Sequence, residues 1–305
     1  MQTLSKYELI RKLGEGATAD VYLAVDKVLQ REVALKILKP ALLADHDSFQ
    51  RFVQEARAVA GLFHPHIATV LEMAEAEGRY YIAMRYVDGR SLDKILEEDG
   101  PLTLEETLRM ARQISAALDF AHQKGFLHRD VKPSNILRDK EGNFILTDFG
   151  LTKAMMSTGV SSHTGAILGT PSYIPPEIWS GKQASSATDQ YALACVVYEA
   201  LTGEMLFGGE TSPAIMNRHF QRRDLSGVPI SVRLPLEKAL AQEPQERYPT
   251  SRTFVRALVA GATPGVGEGK SSSLLESSNQ RLMLTGGLVL ANIVVWFLIF
   301  RFLLF

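Results

Sequence analysis

Up to about residue 87 the apolar positions come mostly in short alternating runs, and beyond it they recur every three or four residues. Alternation marks strands, and the longer period marks helices. Tyr7 to Ile10 reads as a short strand leading into Leu13-Gly14-Glu15-Gly16-Ala17-Thr18-Ala19-Asp20-Val21-Tyr22, and Arg31–Leu38 alternates along its length. Asp47 to Phe63 interrupts with helical spacing: Phe49, Phe52, Val53, Ala56, Val59 and Ala60 share one face, and Asp47 with Gln50 reads as a cap. His64-Pro65-His66-Ile67 ends that helix. Strands around Ala68–Ala74 and Arg79–Tyr86 follow, divided by a turn at Glu77-Gly78.

After Asp88-Gly89 helices take over, first at Leu92, Ile95 and Leu96, then, past a turn at Gly100-Pro101, from about Leu104 to Lys124. Asn143 to Thr147 is a short strand that ends at Asp148-Phe149-Gly150. Asp189 to Gly203 is apolar on nearly every side, which predicts a buried helix. The pattern predicts an α+β fold in two lobes: a small sheet lobe with one main helix over residues 1–87, and a larger, mostly helical lobe over 88–260.

Composition narrows the picture only a little. Hydrophobic residues make up 46% of the 305 and charged residues 22%, an ordinary globular balance, and the net charge of −1 offers no footprint for nucleic acid. Cys195 is the one cysteine, so no intramolecular disulfide forms, and its apolar neighbours predict a buried, inert thiol. Met1 to Gly16 holds no apolar run that could serve as a signal peptide.

Chemistry concentrates in His128-Arg129-Asp130-Val131-Lys132-Pro133-Ser134-Asn135. Moving a phosphoryl group to a hydroxyl asks for a carboxylate that orients the nucleophile and takes its proton, and for cations that neutralise the group in flight. Asp130 supplies the first, Lys132 a point charge, and Asn135 an amide oxygen of the kind Mg²⁺ accepts. Taken alone, the octapeptide is equally a polar turn. Lys36 sits in an apolar strand, where an unpaired ammonium is costly, so an anionic partner is expected. Gly14 and Gly16 allow a tight strand–turn–strand whose backbone can approach phosphates, although a plain hairpin has the same look. A dinucleotide-binding fingerprint is disfavoured because no long apolar helix follows.

Taken in order, these segments resemble the motifs of protein kinases, and over residues 7–260 the chain looks like a bacterial serine/threonine kinase of the eukaryotic-like type. The resemblance implies a bilobal kinase fold that uses ATP and Mg²⁺, or Mn²⁺ in its place. It makes 128–135 the catalytic loop, with Asp130 and Lys132 catalytic and Asn135 and Asp148 holding metal. Leu13, Gly14 and Gly16 belong to the glycine-rich loop, where Ala19 stands in place of a third glycine. Lys36 would bind the nucleotide phosphates and pair with Glu55. Met84 would guard the back of the adenine pocket, and Arg85 to Val87 would be the hinge. Val21, Ala34 and Leu137 would sandwich the ring, though each is equally explicable as core packing. Phe149 would pack under the helix that carries Glu55.

Leu151 to Ile174 matches the activation segment, closed by Gly169-Thr170-Pro171-Ser172-Tyr173-Ile174-Pro175-Pro176-Glu177. Pro175 replaces the family's usual alanine there. Ser162 and Thr164 sit where bacterial relatives carry activating phosphates, and Ser/Thr residues in such a loop are otherwise simply solvated. The resemblance implies supporting contacts as well: Thr170 near the catalytic Asp130, Glu177 paired with Arg247, and Asp189 bonded to the catalytic-loop backbone, an N-cap being its plainer role. Ser134 replaces the glutamate of arginine-directed members, which counts against a basic substrate motif.

Residues 261–281 are rich in Gly and Ser and read as a flexible juxtamembrane linker with a reach of roughly 25 Å. Leu282 to Phe300 then runs 19 residues without a charge. As a helix it spans roughly 28 Å, one hydrocarbon core. A buried core helix is the alternative, but a complete kinase-like domain precedes it, so residues 282–305 are expected to be a single transmembrane helix. The expectation is a tail-anchored enzyme of the cell membrane with its kinase domain in the cytoplasm, acting on protein substrates and pairing as a homodimer for autophosphorylation in trans. The rivals are a membrane-anchored pseudokinase scaffold and a small-molecule kinase. The first usually lacks the base, the lysine or the metal Asp, and none is missing; the second is disfavoured by the 169–177 platform.

Overall fold

Alternation in the first third of the chain builds one antiparallel sheet. Its strands are β1 (Thr3–Leu4), β2 (Tyr7–Glu15), β3 (Ala19–Asp26), β4 (Arg31–Leu38), β5 (Val70–Ala76) and β6 (Arg79–Arg85), in the order β1-β2-β3-β4-β6-β5. The computed structural model describes residues 2–16, 18–40, 60–149, 170–221 and 223–263. It divides into a unit of residues 1–259 and a unit of residues 260–305, the latter described only to 263.

Side chains alternate across a sheet, so register decides which residues share a face. Leu4, Tyr7, Leu9, Ala24, Val33, Leu35, Ile37, Tyr81 and Ala83 pack as one apolar cluster. Val21 stands opposite Lys36, and Ala34 opposite Met84. Those four therefore share the other face. The strand read as Tyr7–Ile10 continues to Glu15, through Gly14, because residues after irregularities at Leu9/Arg11 and Lys12/Gly14 still pair with β3. The helix expected to reach Phe63 does not cover residues 60–63, which form turn and irregular chain. The rest of that segment lies outside the described residues.

A second sheet, in the order β7-β8-β9, joins Gly89–Ser91 (β7), Ile136–Asp139 (β8) and Phe144–Leu146 (β9). The described helices are α1 (Leu92–Glu98), α2 (Leu104–Gln123), α3 (Pro176–Trp179), α4 (Ser186–Thr202), α5 (Ser212–His219), α6 (Ile230–Ala239) and α7 (Ser251–Ala262). α2 forms where the sequence places it: the Thr103 side chain caps it by accepting from the Glu106 N–H, and Leu108, Ala111, Ile114, Leu118 and Ala121 turn inward. Asp119, on the same helix, accepts from the N–H groups of Ser251 and Arg252 at 3.0 and 3.1 Å and so caps α7 from 132 residues away.

α4 is buried along most of its length, and Cys195 is buried within it, its thiol pushed up by burial. The helix begins at Ser186, not at Asp189, with Ser185 in the N-cap position. Asp189 is thus in the first turn and is not the cap. Gly203 ends α4 with φ +76°, its N–H donating to Glu199 O at 2.8 Å. A Cβ there would meet nothing nearer than Pro101 Cδ at 3.6 Å, so a side chain would suffer from the backbone angle and not from crowding. Gly203→Ala should lower unfolding free energy by about 1 kcal/mol, read from the urea midpoint of the purified chain.

Candidate active site

The segment 128–135 enters from α2 and is held from behind by α4. Asp189 accepts from the main-chain N–H groups of His128 at 2.8 Å and Arg129 at 2.7 Å, and from His122 Nε2 at 2.7 Å. Burial alone would push the Asp189 carboxyl up. The bond from His122 and the His128 N–H outweigh it and hold the group below the usual carboxylate range. Arg129 takes φ +63°, a conformation costly for an L residue with a Cβ unless fixed by its surroundings.

His128 is fully buried, and its ring is read by its partners. Nε2 faces Thr147 O at 2.8 Å and must carry the proton, while Nδ1 accepts from the Asp130 N–H at 3.2 Å. The imidazole is therefore neutral, and burial pushes its pKa down. Its ring lies 4.6 Å from that of Phe149, which is also buried.

Beyond His128 the polar side chains converge. Asn135 Nδ2 donates to Asp130 O at 2.8 Å and to Asp130 Oδ2 at 3.0 Å, and Lys132 Nζ lies 3.0 Å from the same carboxylate oxygen. These bonds orient the Asn135 amide with Oδ1 as its remaining acceptor. Thr147 N–H donates to Asn135 O at 2.9 Å, which sets the end of β9, and so Asp148, alongside this group. Asp148, with φ +56°, accepts from Lys36 Nζ at 2.6 Å. Lys36 is buried in β4, so the anion that its strand requires is Asp148 among the described residues. Glu55 lies outside them, as do Ser162 and Thr164.

The remaining sequence candidates fall in several places. Val21, Ala34 and Met84 share the Lys36 face of the sheet. Val87 packs with Ala68 and Ile145, and Leu137 against that cluster. Arg85 N–H is committed to Thr69 O at 2.9 Å, so any ligand at 85–87 has the Arg85 carbonyl and the Val87 main chain to use. Leu13 falls at an irregularity of β2, and open space surrounds the point where Gly14 would carry a Cβ. At Gly16 a Cβ would stand 3.2 Å from Ala19 O.

Thr170 opens a 3-10 turn, Pro171–Tyr173, and its carbonyl accepts from Tyr173 N–H. Arg247 grips Glu177 with two bonds of 2.8 and 2.7 Å, both residues buried, and its other donors reach the carbonyls of Ala187, Ala241 and Gln242. The buried pair is thereby saturated. Sequence reasoning passed over His122, His219 and Tyr191. Their partners lie from 28 to 67 residues away, and no local pattern marks them.

A protein kinase domain model matches residues 7–260. The chain belongs to the protein kinase family. It is 40% identical over 252 residues to serine/threonine-protein kinase PrkC of Bacillus subtilis, covering 81% of this chain and 39% of that protein. It is 37% identical over 265 residues to serine/threonine-protein kinase PknB of Mycobacterium tuberculosis, covering 83% and 42%. The crystal structure of the Mycobacterium tuberculosis PknI kinase domain superposes with a TM-score of 0.70 at 32% identity, over 86% of this chain and 98% of that one. The fold is the bilobal kinase fold, sheet-rich in its first lobe and helical in its second. The chain spans about two fifths of the length of the curated relatives it matches.

Kinases of this family use ATP and Mg²⁺, and the donor set suits both. Asn135 and Asp148 are hard oxygen donors. Mg²⁺ prefers one or two such protein ligands, its other positions going to water and phosphate oxygens. Among the described residues no three His, Cys, Asp or Glu side chains gather to form an all-protein metal cage. The open space at Gly14 leaves room for phosphates to approach the backbone.

Removing the Asp189 side chain orphans two buried N–H groups. Asp189→Ala should cost roughly 2–5 kcal/mol of unfolding free energy in urea titrations. A pH series adds a second signature. His128 is held neutral in the fold, so the unfolded chain binds more protons below about pH 6.5, and stability is full above that value and lost as pH falls toward the lowered folded one. Asp189 acts in the same direction lower down: its contribution is complete above about pH 4 and disappears as acid protonates it. Unfolding free energy should therefore fall as pH drops below about 6.5, His219 adding to the loss from His128, and the further loss below about pH 4 should be smaller in Asp189→Asn.

Proposed function

We propose that this chain is a serine/threonine protein kinase that moves the γ-phosphoryl group of ATP to protein hydroxyls and phosphorylates its own activation segment at Ser162 or Thr164. The observation that carries the reading is the meeting of two pairs, Lys36 with Asp148 and Asp130 with Lys132, joined through Asn135 and Thr147. Asp130 orients the incoming hydroxyl and accepts its proton. Lys132, already against Asp130, neutralises charge on the transferred group. Lys36 fixes the nucleotide phosphates, and Asn135 and Asp148 would hold Mg²⁺, which supplies charge neutralisation at the phosphates when bound. The adenine ring would rest on the sheet face of Val21, Ala34 and Met84.

Residues 282–305 would anchor the chain in the cell membrane with the kinase domain in the cytoplasm, and pairing of copies there would favour autophosphorylation in trans. Among the described residues no helix is long and apolar enough to cross a membrane, and this stretch lies outside them. Its 19 uncharged residues support the anchor.

The purified chain should incorporate label from γ-labelled ATP with Mg²⁺, and Asp130→Asn should reduce incorporation by a factor of about 10³ while nucleotide still binds. Nucleotide binding without label in the parent chain, including chain in liposomes, would leave a scaffold as the reading. Membrane attachment is checked separately: the full chain should stay with liposomes through an alkaline wash, and a chain ending at residue 263 should wash off.

A further inference from the structure

The turn Pro171–Tyr173 lies in the segment that the kinase reading makes the platform for the protein substrate, and it barely holds itself. Its two internal bonds, Tyr173 N–H to Thr170 O and Ile174 N–H to Pro171 O, are both 3.2 Å long. Two aromatic N–H donors brace it from below. His219 Nε2 donates to Pro171 O at 3.1 Å, and Trp179 Nε1 donates to Ile174 O at 2.9 Å. The donors reach the carbonyls at opposite ends of the turn, and the rings lie 6.4 Å apart.

His219 ends α5 and is completely buried. Its Nδ1 accepts from the Tyr191 hydroxyl at 2.9 Å, and Tyr191 belongs to the buried helix α4. The Pro171 carbonyl fixes the tautomer: it can only accept, so the single proton of the neutral ring sits on Nε2, which leaves Nδ1 as the acceptor for the Tyr191 hydroxyl. Phe207 stacks on the imidazole with centroids 3.9 Å apart and prevents it from turning away. Burial pushes the His219 pKa down to about 4, so the ring keeps one proton at neutral pH.

We infer that His219 is a positioning residue for the protein substrate, holding the 171–174 platform to α4 through a Tyr191–His219–Pro171 relay. It touches neither nucleotide nor phosphoryl group. Its loss should therefore loosen protein binding and leave nucleotide binding as it was. The inference rests on the kinase reading of residues 170–177.

The test uses the full chain, with the inactive Asp130→Asn chain as protein substrate. His219→Phe keeps the ring and the stack on Phe207 but removes both bonds. It should raise the KM for the protein substrate about tenfold and change the KM for ATP less than twofold. Tyr191→Phe should move the same constant by a smaller factor. His219→Gln can donate to Pro171 and accept from Tyr191, and should restore it. In parallel, amide exchange at Ser172 to Ile174 should quicken in His219→Phe while the α4 amides keep their protection. Equal losses in both KM values and kcat, or unchanged exchange at 172–174, would overturn the inference. A parent chain that transfers no phosphate but shows the localised exchange would count against the kinase reading and leave the relay standing.

Discussion

One buried carboxylate sets the geometry on which the rest depends. Asp189 reaches from the first turn of α4 to two consecutive N–H groups, His128 and Arg129, where the chain leaves α2 and turns toward Asp130. Arg129 is held there at φ +63°, which costs an L residue about 1–2 kcal/mol. Two charge-assisted bonds to a buried carboxylate are of the right size to offset that cost. With the backbone fixed, the His128 ring can span to Thr147 O and Asp130 N–H, and the strand end bearing Asp148 is set against the segment bearing Asn135. Positive φ recurs at Asp148, whose carboxylate meets Lys36. Of the five non-glycine residues with positive φ among the described residues, Arg129 and Asp148 thus fall at the groups that must converge, and their angles persist because their neighbours over-determine them.

Where periodicity was strong, the sequence was readable to the residue. β4 has the bounds that alternation predicts, and α2 those that its apolar spacing predicts, to within a residue. Glycine misled at β2: Gly14 reads as the start of a turn, yet the strand carries through it, because ladder bonds to β3 outweigh local preference. The buried strand told that Lys36 needs an anion but not which one. Asp148 lies 112 residues on, and only tertiary structure brings it near. The shared face of Val21, Ala34, Lys36 and Met84 follows from register, which single strands do not reveal.

The two departures from the family's usual motifs are accommodated by geometry. Pro175 stands just before α3 with φ −74° and ψ 161°, angles its ring prefers. An N–H at that position has no intrahelical partner in any case. Its carbonyl still accepts from Ile178 and Trp179, so the helix start is intact. Ala19 is buried at the head of β3 opposite Leu38, and its carbonyl accepts from Gly16 N–H at 2.9 Å. A methyl group there fills sheet interior, and the hairpin closes through the main chain.

These separate contacts share a single beam. From α4, Asp189 holds the 128–129 backbone, Tyr191 holds His219 and through it Pro171, and Glu199 accepts from the Tyr173 hydroxyl at 2.6 Å. Thr188 and Gln190 add bonds to Glu177 and to the Tyr248 main chain. Phosphoryl transfer requires base, nucleotide and incoming hydroxyl to agree in position, and an error of about 1 Å costs about 10²-fold in rate. Two loops braced separately against solvent-facing elements would drift independently. Braced against one helix that is buried along most of its length, the base segment and the platform move together or not at all, and the apolar run that first marks α4 as buried is what packs that helix into the core.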